Sequence, residues 1–320
     1  MDSNKKRIVV IGPEFYHYHT SIVESLVRRG HDVTFFAEIP TDIFHKILKN
    51  FSIKLYRHLL DIYFKKIVAR LVAADITHFL VIRGESMPGW FLSLLRDSHP
   101  DAKFVMYQWD SHRNNEYKHL LKSFDKVATF DPVDAVDFGI IYQPLFFIRG
   151  DALPEMNKTI DFLFVGSLHG DRLQILQKFK STLPIGKNVK FHIYVSFFSY
   201  IKLLLKGHFL RLSDISFTKV SFKDLELMIK KSKNVIDLCS STQIGITVRS
   251  FEALSAGCRL ITNNPKIIEL LPQLESNVDV IDTDYFVHKH LYNEQLTPCS
   301  ALSIMEPFEL DCWLMRLLDE

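Results

Sequence analysis

The chain has 320 residues and a formal net charge of +2, with 47% apolar and 24% charged residues. This composition excludes a disordered polar chain, and the length leaves room for two domains of about 150 residues each. Cys239, Cys258, Cys299 and Cys312 show no CxxC spacing, so they read as reduced core thiols and exclude a disulfide framework or a structural zinc site.

Met1-Asp-Ser-Asn-Lys-Lys leads directly into a buried-type strand, Arg7–Ile11. A secretory signal would need a longer apolar stretch, and no run of about 18 uncharged apolar residues exists to span a membrane. A cytoplasmic protein is expected. Gly12-Pro13 ends the first strand, the loop Glu14–His19 follows, and Thr20–Arg29 reads as an amphipathic helix stopped by Gly30. With a second strand at Asp32–Ala37 this is a βαβ opening, the start of a parallel sheet. Gly12 is not part of a GxGxxG, so a dinucleotide fingerprint is absent.

Thr41 to Ala74 reads as mostly helical and basic, with Lys46, Lys49, Lys54, Arg57, Lys65, Lys66 and Arg70 between apolar residues. A core-facing helix with a solvated basic face is one reading. Peripheral contact with an anionic membrane, or with a lipid-linked acceptor, is the other. Nucleic acid is not expected as a partner, because no recognition motif accompanies the charge. Strands follow at His78–Ile82, Lys103–Tyr107, Lys126–Phe130 and Ile140–Leu145, with helices at Trp90–Arg96, Tyr117–Ser123 and after Asp131-Pro132.

Gly150–Lys158 has turn-like composition and reads as a linker, giving domains at 1–150 and 151–320. A second cycle begins with a strand at Asp161–Val165, which ends at Gly166-Ser167-Leu168-His169-Gly170. Arg172 then opens a helix over Asp171–Lys180. Val189–Val195 is a strand, Ser199–Lys206 a helix, Ser213–Lys219 a short strand or loop, and Ser221 with Asp224 resembles a capping start for Phe222–Lys231. Asn234–Leu238, Arg259–Thr262 and Val278–Ile281 complete a second parallel sheet. Glu309–Leu318 is a last helix with Leu310, Trp313, Leu314 and Leu317 on one stripe.

The segment Asn234–Asn264 organises the second half. Thr247–Ala256 carries Val248, Phe251, Ala253 and Leu254 at helical spacing and is closed by Gly257. Its N-terminus falls at the carboxyl edge of a parallel sheet, where open α/β folds bind ligands. Thr247, Arg249 and Ser250 in the first turn suit a diphosphate. Glu252, one turn on, suits paired sugar hydroxyls, for which a carboxylate is a strong acceptor. The loop from Gly166 and Ser167 to Arg172 is a second candidate for the same anion.

The run Thr247-Val-Arg-Ser-Phe-Glu-Ala-Leu-Ser-Ala-Gly257 resembles the donor-site signature of GT-B glycosyltransferases. It is most similar to the R-x-FEAL-x-x-G branch common among bacterial lipopolysaccharide and surface-polysaccharide enzymes. The resemblance implies two Rossmann-like parallel-sheet α/β domains facing a cleft. It further implies a nucleotide-sugar donor with its ribose on Glu252, metal-independent chemistry without a cofactor, and a last helix packed back on the first domain. Many relatives carry a second acid eight residues before the glutamate; here that position is Ile244.

Transfer with inversion needs a base for the acceptor hydroxyl and cationic support for the departing diphosphate. Asp110, in a polar loop after the strand Lys103–Tyr107, is the leading candidate. Asp131, His17, His19 and Glu85 stand beside it. The His17-x-His19 pair has no carboxylate or cysteine at ligand spacing, so a metal site is not expected. GxSxG and GxxxxGK[ST] motifs are absent. The sequence therefore points to a glycosyltransferase acting on a glycan or lipid-linked acceptor. A GT-B-fold sugar-nucleotide epimerase or hydrolase, and a non-catalytic binding module, are the alternatives.

Overall fold

The computed structural model describes residues 5–40, 52–150, 156–207, 209–240, 243–282 and 301–319. The chain divides into two compact units: Met1–Pro144 with Leu310–Glu320, and Leu145–Glu309.

The first unit is built on β1 (Arg7–Gly12), β2 (Asp32–Ala37), β3 (His78–Ile82), β4 (Lys103–Gln108), β5 (Lys126–Thr129) and β6 (Ile141–Tyr142), in the order β2-β1-β3-β4-β5-β6. Every pairing is parallel. β1 and β3 read as unbroken apolar runs because both faces of a parallel sheet are covered, and all five residues of β3 are buried. The helix Ile53–Leu71 presents Tyr56, Leu60, Phe64, Ile67 and Leu71 to this core, where they meet Phe79, Phe91 and Phe104. At about 1.5–3 kcal/mol per fully buried large side chain, this stripe anchors the helix. Lys54, Arg57, Lys65, Lys66 and Arg70 are exposed on its other side, a solvated basic face. The rest of the basic segment, 41–51, lies outside the described residues.

The helix Leu310–Leu318 belongs to this first unit, which is thus discontinuous in sequence. Trp313 is fully buried, stacks edge-on against Tyr107 with ring centroids 4.6 Å apart, and donates Nε1–H to Pro144 O at 3.0 Å. Gln143 donates its amide to Trp313 O at 3.0 Å, and Asp311 accepts from Ser25 and pairs with Arg28.

The second unit carries β7 (Ile160–Ser167), β8 (Val189–Tyr194), β9 (Ser232–Asp237), β10 (Arg259–Thr262) and β11 (Val278–Val280), in the order β11-β10-β9-β7-β8 and again all parallel. Phe162, Phe164, Leu173, Leu176, Phe179, Ile236 and Ile261 form its core beneath the helix Arg172–Thr182.

Several local expectations shift. β7 continues through Gly166 and Ser167, which pair with Ile193 and Tyr194. Tyr117–Ser123 is a 3-10 turn over Lys118–Ser123. Of Ile140–Leu145 only two residues form a strand, because the next carbonyl, Gln143 O, accepts from the Tyr107 hydroxyl at 2.9 Å. Five of the residues read as linker, 151–155, lie outside the described residues.

Candidate active site

In each unit the parallel order collects the loops that follow the strands at one edge, and the candidate side chains gather there.

In the second unit the organising group is Asp237, the last residue of β9, buried at 7% exposure. Its Oδ2 accepts from the Ser250 hydroxyl at 2.7 Å and from the Thr247 hydroxyl. Thr247 is the N-cap of the helix Val248–Ser255, and its Oγ1 accepts from Ser250 N at 3.3 Å. A carboxylate at the positive end of the helix is electrostatically favourable. The hydroxyls of Thr247 and Ser250, two residues read as suiting a diphosphate, hold this internal carboxylate. Asp237 was not legible as a site residue, because an acid at a strand end reads as a terminator. Loss of these charge-assisted bonds in Asp237→Ala is expected to cost about 2 kcal/mol and several degrees in Tm, measurable by thermal unfolding.

Arg249 and Glu252 form an ion pair, with side chains only 18% and 10% exposed. Glu252 also lines a cavity of about 290 Å³, together with Phe147, Arg149, Phe222, Leu225 and Ile229. The glutamate is therefore neither sealed in an apolar interior nor left loose on the surface. The preceding loop is pinned from β10. Asn263 exchanges two hydrogen bonds with the backbone of Cys239, at 2.8 and 3.0 Å, and the Asn264 amide donates to Ile244 O at 3.0 Å.

Gly166 and Ser167, read as the start of a diphosphate loop, are the last two residues of β7. A Cβ at Gly166 would meet the Phe164 ring at 2.9 Å, so packing accounts for this glycine. The guanidinium of Arg172 donates to Ser167 O at 3.0 Å and Leu238 O at 2.6 Å, clasping the carboxyl ends of β7 and β9. Arg172 thus lies at the same sheet edge as Asp237, in the role of a clamp.

In the first unit the centre is Arg83, the residue after β3, held with a left-handed backbone (φ 72°) beside Gly84 (φ 73°). Such a conformation is uncommon for arginine and persists only where surroundings enforce it. Here the Gln108 amide donates to Arg83 O at 2.6 Å, and Asn115 donates to Gln108 Oε1 at 3.1 Å. The Arg83 side chain meets Glu38 and Glu85, each at 3.2 Å, and Asp110 at 3.8 Å. Glu38 is fully buried and also accepts from Ser86 N at 3.1 Å. Burial pushes its carboxyl above the usual range, against the pull of Arg83. Asp110 is likewise raised, mainly by burial and further by Glu85, with Arg83 opposing. Glu38 escaped the sequence reading, since a glutamate after a strand gives no sign that it is buried against an arginine 45 residues on.

His17 is the N-cap of the helix Tyr18–Arg28, with its ring 4.5 Å from that of Tyr18. The loops of His17 and Asp110 meet through Phe15 and Trp109, whose ring centroids are 6.1 Å apart. Asp131 caps the helix Pro132–Phe138, accepting from Val133 N at 2.9 Å, which gives it a structural task. His19 packs its ring 5.1 Å from Phe35. Among the described residues, no group of three or more His, Cys, Asp or Glu side chains is placed to hold a metal ion.

No protein-family model and no curated protein matches the chain. Solved structures do. MurG from Acinetobacter baumannii aligns over 98% of this chain and 100% of its own, with a TM-score of 0.52 and 11% identity. UGT89C1 of Arabidopsis thaliana, complexed with UDP, aligns over 98% and 94%, with a TM-score of 0.50 and 10% identity. The catalytic domain of starch synthase IV from Arabidopsis thaliana, bound to ADP and acarbose, aligns over 89% and 86%, with a TM-score of 0.52 and 8% identity. The fold is GT-B. At these identities the shared property is the backbone architecture, so chemistry within this GT-B fold has to be argued from the side chains.

Proposed function

We propose that this chain is a glycosyltransferase that transfers a sugar from a nucleotide-sugar to a hydroxyl of a glycan or lipid-linked acceptor. A growing bacterial lipopolysaccharide or other surface glycan is the acceptor class that the FEAL run of the second unit suggests. What supports the reading is the mostly buried Arg249–Glu252 ion pair on the helix Val248–Ser255, with Glu252 at the wall of a cavity. Glu252 accepts from the two ribose hydroxyls. Arg249 and the backbone of the pinned loop support the diphosphate, and Asp237 fixes the helix start through Thr247 and Ser250.

Acceptor activation falls to the first unit. In the inverting form of the reaction, the acceptor oxygen bonds to the anomeric carbon as the bond to the diphosphate breaks. Asp110 takes the acceptor proton, and the nucleoside diphosphate leaves with the negative charge. The raised pKa of Asp110 suits a base, since a proton is accepted more readily than by an ordinary carboxylate. His17 and the aromatic rings of Phe15 and Trp109 line the acceptor side.

Thermal unfolding in the presence of UDP, ADP, GDP and their sugar conjugates tests the donor assignment. A ligand at 100 times its Kd stabilises the native state by about 2.7 kcal/mol. At least one nucleotide is expected to raise Tm, with the shift lost in Glu252→Ala and reduced in Arg249→Ala. No shift with any nucleotide, or a shift unchanged in Glu252→Ala, overturns the reading.

A further inference from the structure

The helix Phe197–Leu205 has a composition that belongs inside a protein, yet none of its residues is buried. Phe198, Ile201, Lys202 and Leu205 fall at i, i+3, i+4 and i+7, the spacing of a single helix face. Phe198 and Leu205 are each 82% exposed. Further along, Phe217 is exposed as well. Phe217 joins the helix, its ring 6.1 Å from Phe197 and 5.3 Å from Tyr200. The surface has a firm base. Ser196 caps the helix by accepting from Ser199 N at 3.2 Å, and Ser216 exchanges backbone hydrogen bonds with Ile193 and Val195, both at 2.8 Å, along the outer edge of β8.

Charge decides what such a surface fits. Lys202, Lys206, Arg211 and Lys219 are all exposed, whereas between Ser196 and Val220 the only acid is Asp214, which accepts from the Gln177 amide at 2.8 Å. Exposed aromatic and aliphatic side chains interleaved with lysine and arginine match the boundary of an anionic bilayer. There the rings and aliphatic chains enter the acyl layer and the cations meet lipid phosphates. At nine residues the helix is far too short to cross a bilayer, and no helix among the described residues is long and apolar enough to do so. It suits a helix lying in the interface.

We infer that the helix Phe197–Leu205, with Phe217 beside it, forms a membrane-docking surface that inserts into an anionic bilayer. This surface is distinct from the basic helix of the first unit, whose apolar stripe is consumed by the core. The inference stands independently of the proposed sugar transfer.

Co-sedimentation of the full chain with phosphatidylcholine vesicles, with and without 30% phosphatidylglycerol, provides the test. Binding is expected only with the anionic lipid and is expected to weaken with salt. Phe198→Glu with Leu205→Glu is expected to lower partitioning about 100-fold or more. Lys202→Gln with Lys206→Gln is expected to lower it about 25-fold. These side chains are exposed, so the variants keep the parent Tm. In Phe198→Trp, indole fluorescence is expected to shift to the blue on vesicle addition. The inference is overturned by equal binding to neutral vesicles, by wild-type partitioning of the glutamate variant, or by an unshifted emission spectrum in Phe198→Trp. A dimer in light scattering that the glutamate variant abolishes, without vesicle binding, also overturns it and assigns the surface to a second copy.

Discussion

Asp110→Asn is expected to lower the turnover of donor and acceptor by about 10²–10⁴-fold, the range for loss of a positioned general base, while the nucleotide-induced shift in Tm is retained. Asparagine preserves the shape of the side chain and removes only the capacity to take a proton, so donor binding in the second unit is untouched. The pH profile carries a sharper version. Activity requires ionised Asp110, so it falls as pH drops through the aspartate's pKa. Burial and Glu85 place that limb above the ordinary carboxylate value of 3.8. In Glu85→Gln a neighbouring negative charge disappears, and the limb moves to lower pH. A limb that stays put in Glu85→Gln, or full activity in Asp110→Asn, removes Asp110 from the reaction and leaves His17 as the base to test.

Arg83→Met is expected to destabilise the chain by about 3–5 kcal/mol, because it strands the fully buried Glu38 without its cation. The sign of the pH dependence follows from linkage. Without Arg83 the folded-state pKa of Glu38 rises further above its unfolded value, so between the two values the native state binds more protons than the unfolded chain. Stability therefore falls as pH rises through that window, and the full loss is present above the folded pKa. Lowering the pH through the window restores part of the loss. Adding Glu38→Gln to Arg83→Met removes the stranded charge, and the double variant is expected to be more stable than Arg83→Met alone. Urea unfolding at several pH values measures each of these outcomes.

The parts of this molecule that were legible in the sequence are those where a local pattern and its environment coincide. β3 and β10 match their expected bounds because each is a short apolar run closed by polar or turn-forming residues, and both lie inside a sheet. The helix after Thr247 is equally plain, with a cap at one end and a left-handed Gly257 at the other. Gly166 was misleading because glycine reads as a break. Only the register with β8 and the ring of Phe164 show the strand continuing through it. Asp237 and Glu38 were hidden for a different reason. The partner of Glu38 lies 45 residues on, those of Asp237 sit across a loop at Thr247 and Ser250, and a buried carboxylate is defined by what surrounds it. The surface on Phe197–Leu205 inverts the usual inference, since periodic apolar residues normally announce a core face and here they do not.

The placement of Trp313 bears on how the protein is made. A ribosome delivers Met1–Pro144 first, then has to synthesise the whole of Leu145–Glu309 before the helix that fills the socket beside Tyr107 emerges. At 5–20 residues per second that interval is roughly ten to thirty seconds. Throughout it the nascent first unit exposes the apolar groove that Leu310, Trp313, Leu314 and Leu317 later cover. The second unit has no such wait, so maturation of this chain runs against the order of its synthesis: the half translated later is the first that can close.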